Sequence, residues 1–331
     1  MKTEATALRL NSPFHSFNSP FWILAKKEMA DIIGSWRFRT LIVLVLLIFS
    51  SSLIHVSQQI PLLLRSDNFL DKQFPFLKIF TSSGATPSYY VLISFVAPLL
   101  GISLGFDSIN SEMNNRTLTR IMAQPLFRDN ILSAKFFAPI IILTILFLSL
   151  TGLVVAAVML YTGMNLGLQE AVRILVFVVL LLIYIAFWLA FSMLMSIVFK
   201  QSATAALTAL ALWLFLTIFY PMVLELIMQQ LYAGSVPTIM DVQIRRQQLM
   251  LDLLKISPSQ LFLDGSSTLL MPTVRSLGPL NIEDLDLAIP NPLPLRDSIL
   301  MVWSQWTGLL AGTMLCFALS YYLFMRREIR N

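Results

Sequence analysis

An all-α, polytopic membrane protein is what this sequence predicts, and three observations carry the prediction. Of the 331 residues, 57% are hydrophobic and only 12% are charged, about half the charged share of an ordinary soluble domain. Six apolar runs (40–56, 89–106, 136–161, 174–199, 203–224 and 299–325) reach the roughly 17 residues that cross a hydrocarbon core as a helix. Lys and Arg divide unevenly between the connecting loops: twelve (Lys26, Lys27, Arg37, Arg39, Arg116, Arg120, Arg128, Lys135, Lys200, Arg326, Arg327, Arg330) fall on one side, against four (Arg65, Lys72, Lys78, Arg173) in the short loops of the other. By the positive-inside rule the first set is cytoplasmic, which places both termini inside. Topology thus accounts for the net charge of +5 without a nucleic-acid partner.

In chain order, residues 1–20 carry Ser, Asn and Pro without a period and read as a flexible cytoplasmic tail. From 21 to 39 a helical period gathers Trp22, Met29, Ile32, Ile33 and Trp36 on one face, with Lys26, Lys27, Asp31 and Arg37 largely opposite. A segment of that kind lies in the headgroup layer, apolar side inward and bases toward anionic lipid, so it reads as an interfacial elbow leading into span one. No cleaved leader is expected, since the first apolar run begins near residue 40. Span two contains Pro98, which a membrane helix tolerates when its neighbours satisfy the freed carbonyl.

The stretch 106–135 is where charge concentrates between spans two and three, with Asp107, Glu112 and Asp129 against Arg116, Arg120, Arg128 and Lys135. Asp107 or Ser108 suits a helix N-cap, the acids precede the bases as a helix dipole favours, and Pro125 ends the helix. With no nucleophile–base pair and no metal-ligand spacing, it reads as a docking surface rather than a catalytic centre. A turn near 163–170 joins spans three and four outside, and Lys200, Gln201 and Ser202 join spans four and five inside. Residues 1–20, 21–225, 226–298 and 299–331 then divide the chain into tail, spans one to five, an extracytoplasmic insert, and span six with a basic tail. Within the insert an amphipathic helix is expected over 238–255, an apolar patch over 261–271 and an acidic, Pro-rich return at 283–294; a cap of short helices over the outer mouth is the expected form.

The chemistry on offer is sparse. Cys316 stands alone and His15 and His55 are 40 residues apart, so no disulfide or ligand-spaced metal cluster is expected. The span interiors hold no Asp, Glu, Lys or Arg, which leaves a proton relay or ion-coupled carrier without its groups. HExxH, GxSG and GxxxxGK[ST] are all missing. An enzyme is therefore not expected, and any work done must be powered by a partner. What the spans contain is small residues in register: Ala97, Gly101 and Gly105 in span two, and Gly308, Gly312, Cys316 and Ser320 in span six. These suit close packing within the chain or a seam between chains. Tyr184, Trp188, Ser192 and Ser196 share a face of span four, and Thr204 and Thr208 recur in span five. Their hydroxyls either line a pathway, for which Tyr184, Ser192, Ser196, Thr204 and Thr208 are the candidates, or bond back to their own helices.

The order Glu112, Thr117, Leu118, Pro125, Arg128, Lys135 after span two resembles the loop of ABC-2 type permeases, the membrane subunits of one class of ATP-binding-cassette exporters. Arg116 takes the place of the usual glycine. The resemblance extends to six spans and an amphipathic entry helix. It implies that Asp107, Glu112, Arg116, Thr117, Leu118, Arg120, Pro125, Arg128 and Lys135 belong to a coupling helix that docks on a separate cytoplasmic ATPase. It also implies that ATP and Mg are held by that partner and that a second permease chain, identical or not, completes the path. The chain itself would bind no cofactor, would sit in a plasma or inner membrane, and would have lipid and an extracytoplasmic partner of 226–298 as further contacts. From a different class comes a non-transporting anchor or sensor whose insert binds an outer partner; an intramembrane enzyme is the third reading.

Overall fold

The structure is a computed structural model that describes residues 20–65, 74, 76–81, 87–115, 128–163, 165–232, 240–272 and 293–326. Among these residues the regular structure is helical throughout. The expected tail before residue 20, the loop residues Arg116, Thr117, Leu118, Arg120 and Pro125, the acidic return up to residue 292 and the tail beyond Arg326 lie outside the described residues.

The elbow and span one are two helices: α1 (Pro20–Gly34) and α2 (Trp36–Arg65), bent by 68°. Ser35 makes the break. Its hydroxyl donates to the Ile32 carbonyl (2.7 Å) and accepts from the Phe38 amide (3.2 Å), so it closes one helix and caps the next. The elbow expected over 21–39 is therefore shorter, because a hydroxyl next to Gly34 satisfies the freed backbone groups at the bend. Ala25 is its buried residue, while Ile33 and Trp36, expected on the apolar face, are exposed.

After a single turn, α3 (Lys78–Thr81), come α4 (Tyr89–Gly105), the short α5 (Asn110–Asn114), α6 (Arg128–Thr162) and α7 (Leu168–Val198). Span five is α8 (Ser202–Leu214), a π-helical turn (Phe215–Phe219) and α9 (Tyr220–Leu231). The chain ends with α10 (Met240–Leu254), α11 (Pro258–Leu270) and α12 (Leu295–Arg326). Five stretches, Tyr89–Asn114, Arg128–Leu160, Leu168–Val198, Ser202–Leu231 and Leu295–Arg326, are long and apolar enough to cross a membrane; the bent pair α1–α2 raises the total to six if it counts as one span. The expected run 40–56 lies within α2.

The bundle is built on α7. Trp188 and Tyr184 are fully buried there, and α4, α8, α11 and α12 all pack on it. The small residues of span two explain how α4 comes so close: a Cβ at Gly101 would stand 2.7 Å from the Ile185 carbonyl oxygen. In α12, a Cβ at Gly312 would meet the Phe187 ring at 2.9 Å, and one at Gly308 would meet Leu261 at 3.2 Å. Both stripes thus serve packing within the chain. Large apolar side chains such as Ile145, Leu153, Leu207 and Met314 point outward, the arrangement that lipid favours.

The insert differs from the expected cap. Its first helix, α10, matches the expected 238–255, but α11 does not sit beyond the ends of the spans. Eleven of its thirteen residues are buried, and it runs along α7, from Ser259 beside Tyr184 to Leu269 beside Arg173. Tyr184 lies about 24 Å along α7 at 1.5 Å per residue, so the hairpin of α10 and α11 reaches the middle of the bundle. Arg246 pairs with Glu225 (2.9 Å) and the Tyr220 hydroxyl donates to the Leu253 carbonyl (2.7 Å), which holds α10 along α9.

Candidate functional site

The described part of the charged stretch forms a junction at the end of the bundle where α6 begins. Lys135 is the centre of it. Its side chain is 5% exposed, and its ammonium lies 2.7 Å from Glu112 Oε1 in α5 and 3.1 Å from Glu28 Oε2 in α1. Lys27 stands 3.2 Å from Glu28, 3.3 Å from Asp31 and 3.9 Å from Glu112. Burial acts to lower the Lys27 pKa, but the carboxylates of Glu28, Glu112 and Asp31 outweigh it and leave it raised. One buried cation therefore joins three pieces of chain: the elbow, the loop after span two and the start of span three. An ion pair withdrawn from water this far holds its geometry, because removing either partner strands a buried charge.

Beside this network Arg37, in the first turn of α2, pairs with Asp107 and lies 5.0 Å over the Phe106 ring. A cleft of about 470 Å³ opens between the two networks, lined by Glu28, Asp31, Arg37, Asp107, Glu112 and Lys135 among others. The loop is fastened to α7 as well. Ser196 Oγ accepts from the amides of Ile109 and Asn110, both at 3.2 Å, and Ser192 Oγ donates to the Ile102 carbonyl at 3.1 Å. Asn114 reaches the Lys200 carbonyl at 3.5 Å. A movement of α5 must therefore be felt by α1, α6 and α7 together.

Of the residues singled out in the sequence, Asp107, Glu112 and Lys135 meet at this junction, and Glu112 points into it rather than away from the chain. Arg128 is exposed at the start of α6. Tyr184, Ser192 and Ser196 are fully buried, with their hydroxyls used in bonds between helices. Thr204 donates to the Gln201 carbonyl and Thr208 to the Thr204 carbonyl, each at 2.8 Å, so both bond to their own segment. Among the described residues no group of three His, Cys, Asp or Glu side chains is placed to hold a metal.

Sequence reasoning missed Glu28. It treated Lys27 and Arg37 as lipid-facing or topological charges. The signal was present, because Glu28 is an acid at helical spacing from Ala25 and Ile32, on the face that α1 buries. Arg173 was missed too. Counted as a loop base, it is fully buried and donates to the carbonyls of Leu269 (3.1 Å) and Leu293 (2.6 Å) and to Ser298 Oγ (3.0 Å). It ties α7 to the end of α11 and the start of α12. One turn earlier, Glu170 accepts from the Phe76 amide (3.1 Å) and the Gly167 amide (3.2 Å).

Comparison with protein families matches residues 22–329 to the ABC-2 family transporter proteins. The match covers nearly the whole chain, and the chain belongs to that family: it is a multi-pass membrane permease of an ABC transporter. Membership implies a partner ATPase and usually a second permease chain. A comparison with curated proteins returns no match.

Proposed function

We propose that this chain is the permease of an exporter powered by a separate cytoplasmic ATPase, which docks on the stretch 106–135. Two permease chains enclose the path, both termini lie in the cytoplasm, and ATP and Mg are bound by the ATPase. The chain itself performs no chemistry; it converts a push on the loop into a rearrangement of helices. Supporting this reading is the buried Lys135, which ties the loop to the elbow and to span three, so that force applied to α5 reaches the membrane helices without a slack joint. Glu112 acts on the permease side of that joint. The docking surface falls to residues 115–128, with Arg116, Arg120 and Arg128 as its cations.

A photoreactive side chain at position 120 or 128 tests the docking site. In native membranes it is expected to form an adduct with an ATP-binding subunit, whereas the same group at position 168, in the opposite loop, forms none. An ATPase adduct from 168 and none from 120 or 128 would overturn the assignment. Charge reversal by Arg120→Glu with Arg128→Glu is expected to weaken ATPase association by roughly tenfold, since like charges brought face to face cost up to several kcal/mol and salt screens part of that.

A further inference from the structure

The π turn in span five has a local cause and a distant partner. Pro221 lacks an N–H, and in an α-helix its ring would clash with the carbonyl four residues earlier, at Thr217. The chain avoids that clash by widening one turn: the Tyr220 amide skips Leu216 and donates to the Phe215 carbonyl, five residues back. In this register the Leu216 carbonyl would be served by residue 221, which has nothing to donate. A carbonyl without a partner at this depth is costly.

The hairpin tip fills the gap. Ser257 Oγ, at the turn between α10 and α11, donates to the Leu216 carbonyl at 3.0 Å. Two residues on, Ser259 Oγ lies 2.8 Å from both Thr217 Oγ1 and the Tyr184 hydroxyl, which itself donates to the Ser94 carbonyl at 3.2 Å. Thr217 behaves unlike its counterparts. Thr144, Thr208, Thr307 and Thr313 all return their hydroxyls to their own helices, as threonines in membrane helices commonly do. Isolated π turns recur at functional sites.

We propose that the hairpin tip is a latch that holds the wide turn of span five in place. Docked, Ser257 supplies the hydrogen bond that Pro221 cannot, and the π turn holds. Withdrawn, the tip leaves the Leu216 carbonyl bare. The α register offers no way out, since Pro221 would then press on the Thr217 carbonyl, so the wide turn loses its brace and α9 is free to swing against α8. Because Glu225–Arg246 and Tyr220–Leu253 fix α10 to α9, the hairpin and the far half of span five move as one body. The latch thus converts a shift of the hairpin into a change of angle within a span, whatever substrate the transporter carries.

Cysteine pairing in the purified, bilayer-embedded chain tests this without an ATPase. In a Cys316→Ala background, Thr217→Cys with Ser259→Cys is expected to form a disulfide readily, read by mass spectrometry of non-reduced peptides. Adding Ser257→Ala, or Pro221→Ala, which restores the missing amide, is expected to slow pairing by roughly tenfold, about the weight of one hydrogen bond. Ser257→Thr retains the hydroxyl and should pair at the parent rate. A second pair, Phe187→Cys with Gly312→Cys, reports α7–α12 packing and should form equally in every background. If Ser257→Ala loses this control pair through misfolding, Pro221→Ala decides the matter, since it adds a bond to the helix and removes none from the core. Failure of the 217–259 pair to form in the parent, or equal pairing rates in the parent and Pro221→Ala, would overturn the latch.

Discussion

Lys135 carries the most weight for its size. It sits between two carboxylates and is nearly closed off from water, so Lys135→Met leaves Glu28 and Glu112 with only the half-exposed Lys27 between them. Breaking a buried ion pair from one side costs about 3–5 kcal/mol, and Lys135→Met is expected to lower the unfolding temperature of the detergent-solubilised chain sharply. Lys135→Met with Glu28→Gln and Glu112→Gln removes the charges together and should recover most of that loss. If the single and triple variants unfold alike, the network contributes packing and not charge. At this scale the sequence was half legible. Glu112 and Lys135 stood out by their order in the loop, but nothing local shows that an acid in the elbow closes the same network 107 residues away from Lys135. Arg173 was hidden for a similar reason: its partners are two carbonyls and a hydroxyl, and backbone acceptors leave no mark in a sequence.

At the scale of elements, the long helices were legible because apolar length alone marks a span. Their interruptions were not. Ser35 breaks the elbow from span one through a capping bond open to any Ser next to a Gly, and the π turn depends on Pro221 together with a serine in the turn between α10 and α11. The insert reads as a cap because the apolar patch 261–271 is too short to span a bilayer, and hydropathy does not separate a segment lying over a bundle from one inserted into it. The α4–α7 contact supplies a test. Gly101→Val would drive a branched side chain into the backbone of α7 near Ile185 and Leu189, and overpacking of this kind costs about 1–3 kcal/mol. Thermal unfolding should show that loss, while Gly152→Val, where no atom lies within 4 Å of the added Cβ, should be near neutral. Equal effects would mean that α4 and α7 are not in close contact in the membrane.

The whole molecule joins two fastened ends through one central helix: the Lys135 junction at one end of α7, and Arg173 with the hairpin at the other. Its topology is open to direct labelling in a Cys316→Ala background. Lys200→Cys, in the turn between α7 and α8, should react only from the cytoplasm, and Leu168→Cys, 82% exposed at the other end of α7, only from outside; reaction of both from one side would contradict the orientation. The central claim is that work enters through the loop after span two, delivered by an ATPase. The most direct measurement is the distance between spin labels at Lys26 in the elbow and Asn115 after α5, both exposed, in the chain reconstituted with its ATPase. The distance is expected to change when ATP and Mg are added and trapped. It is expected to stay fixed in the chain alone, and to stay fixed when a pH or sodium gradient is imposed without ATP. A change in the chain alone under such a gradient, with none on addition of ATP to the complex, would contradict the account.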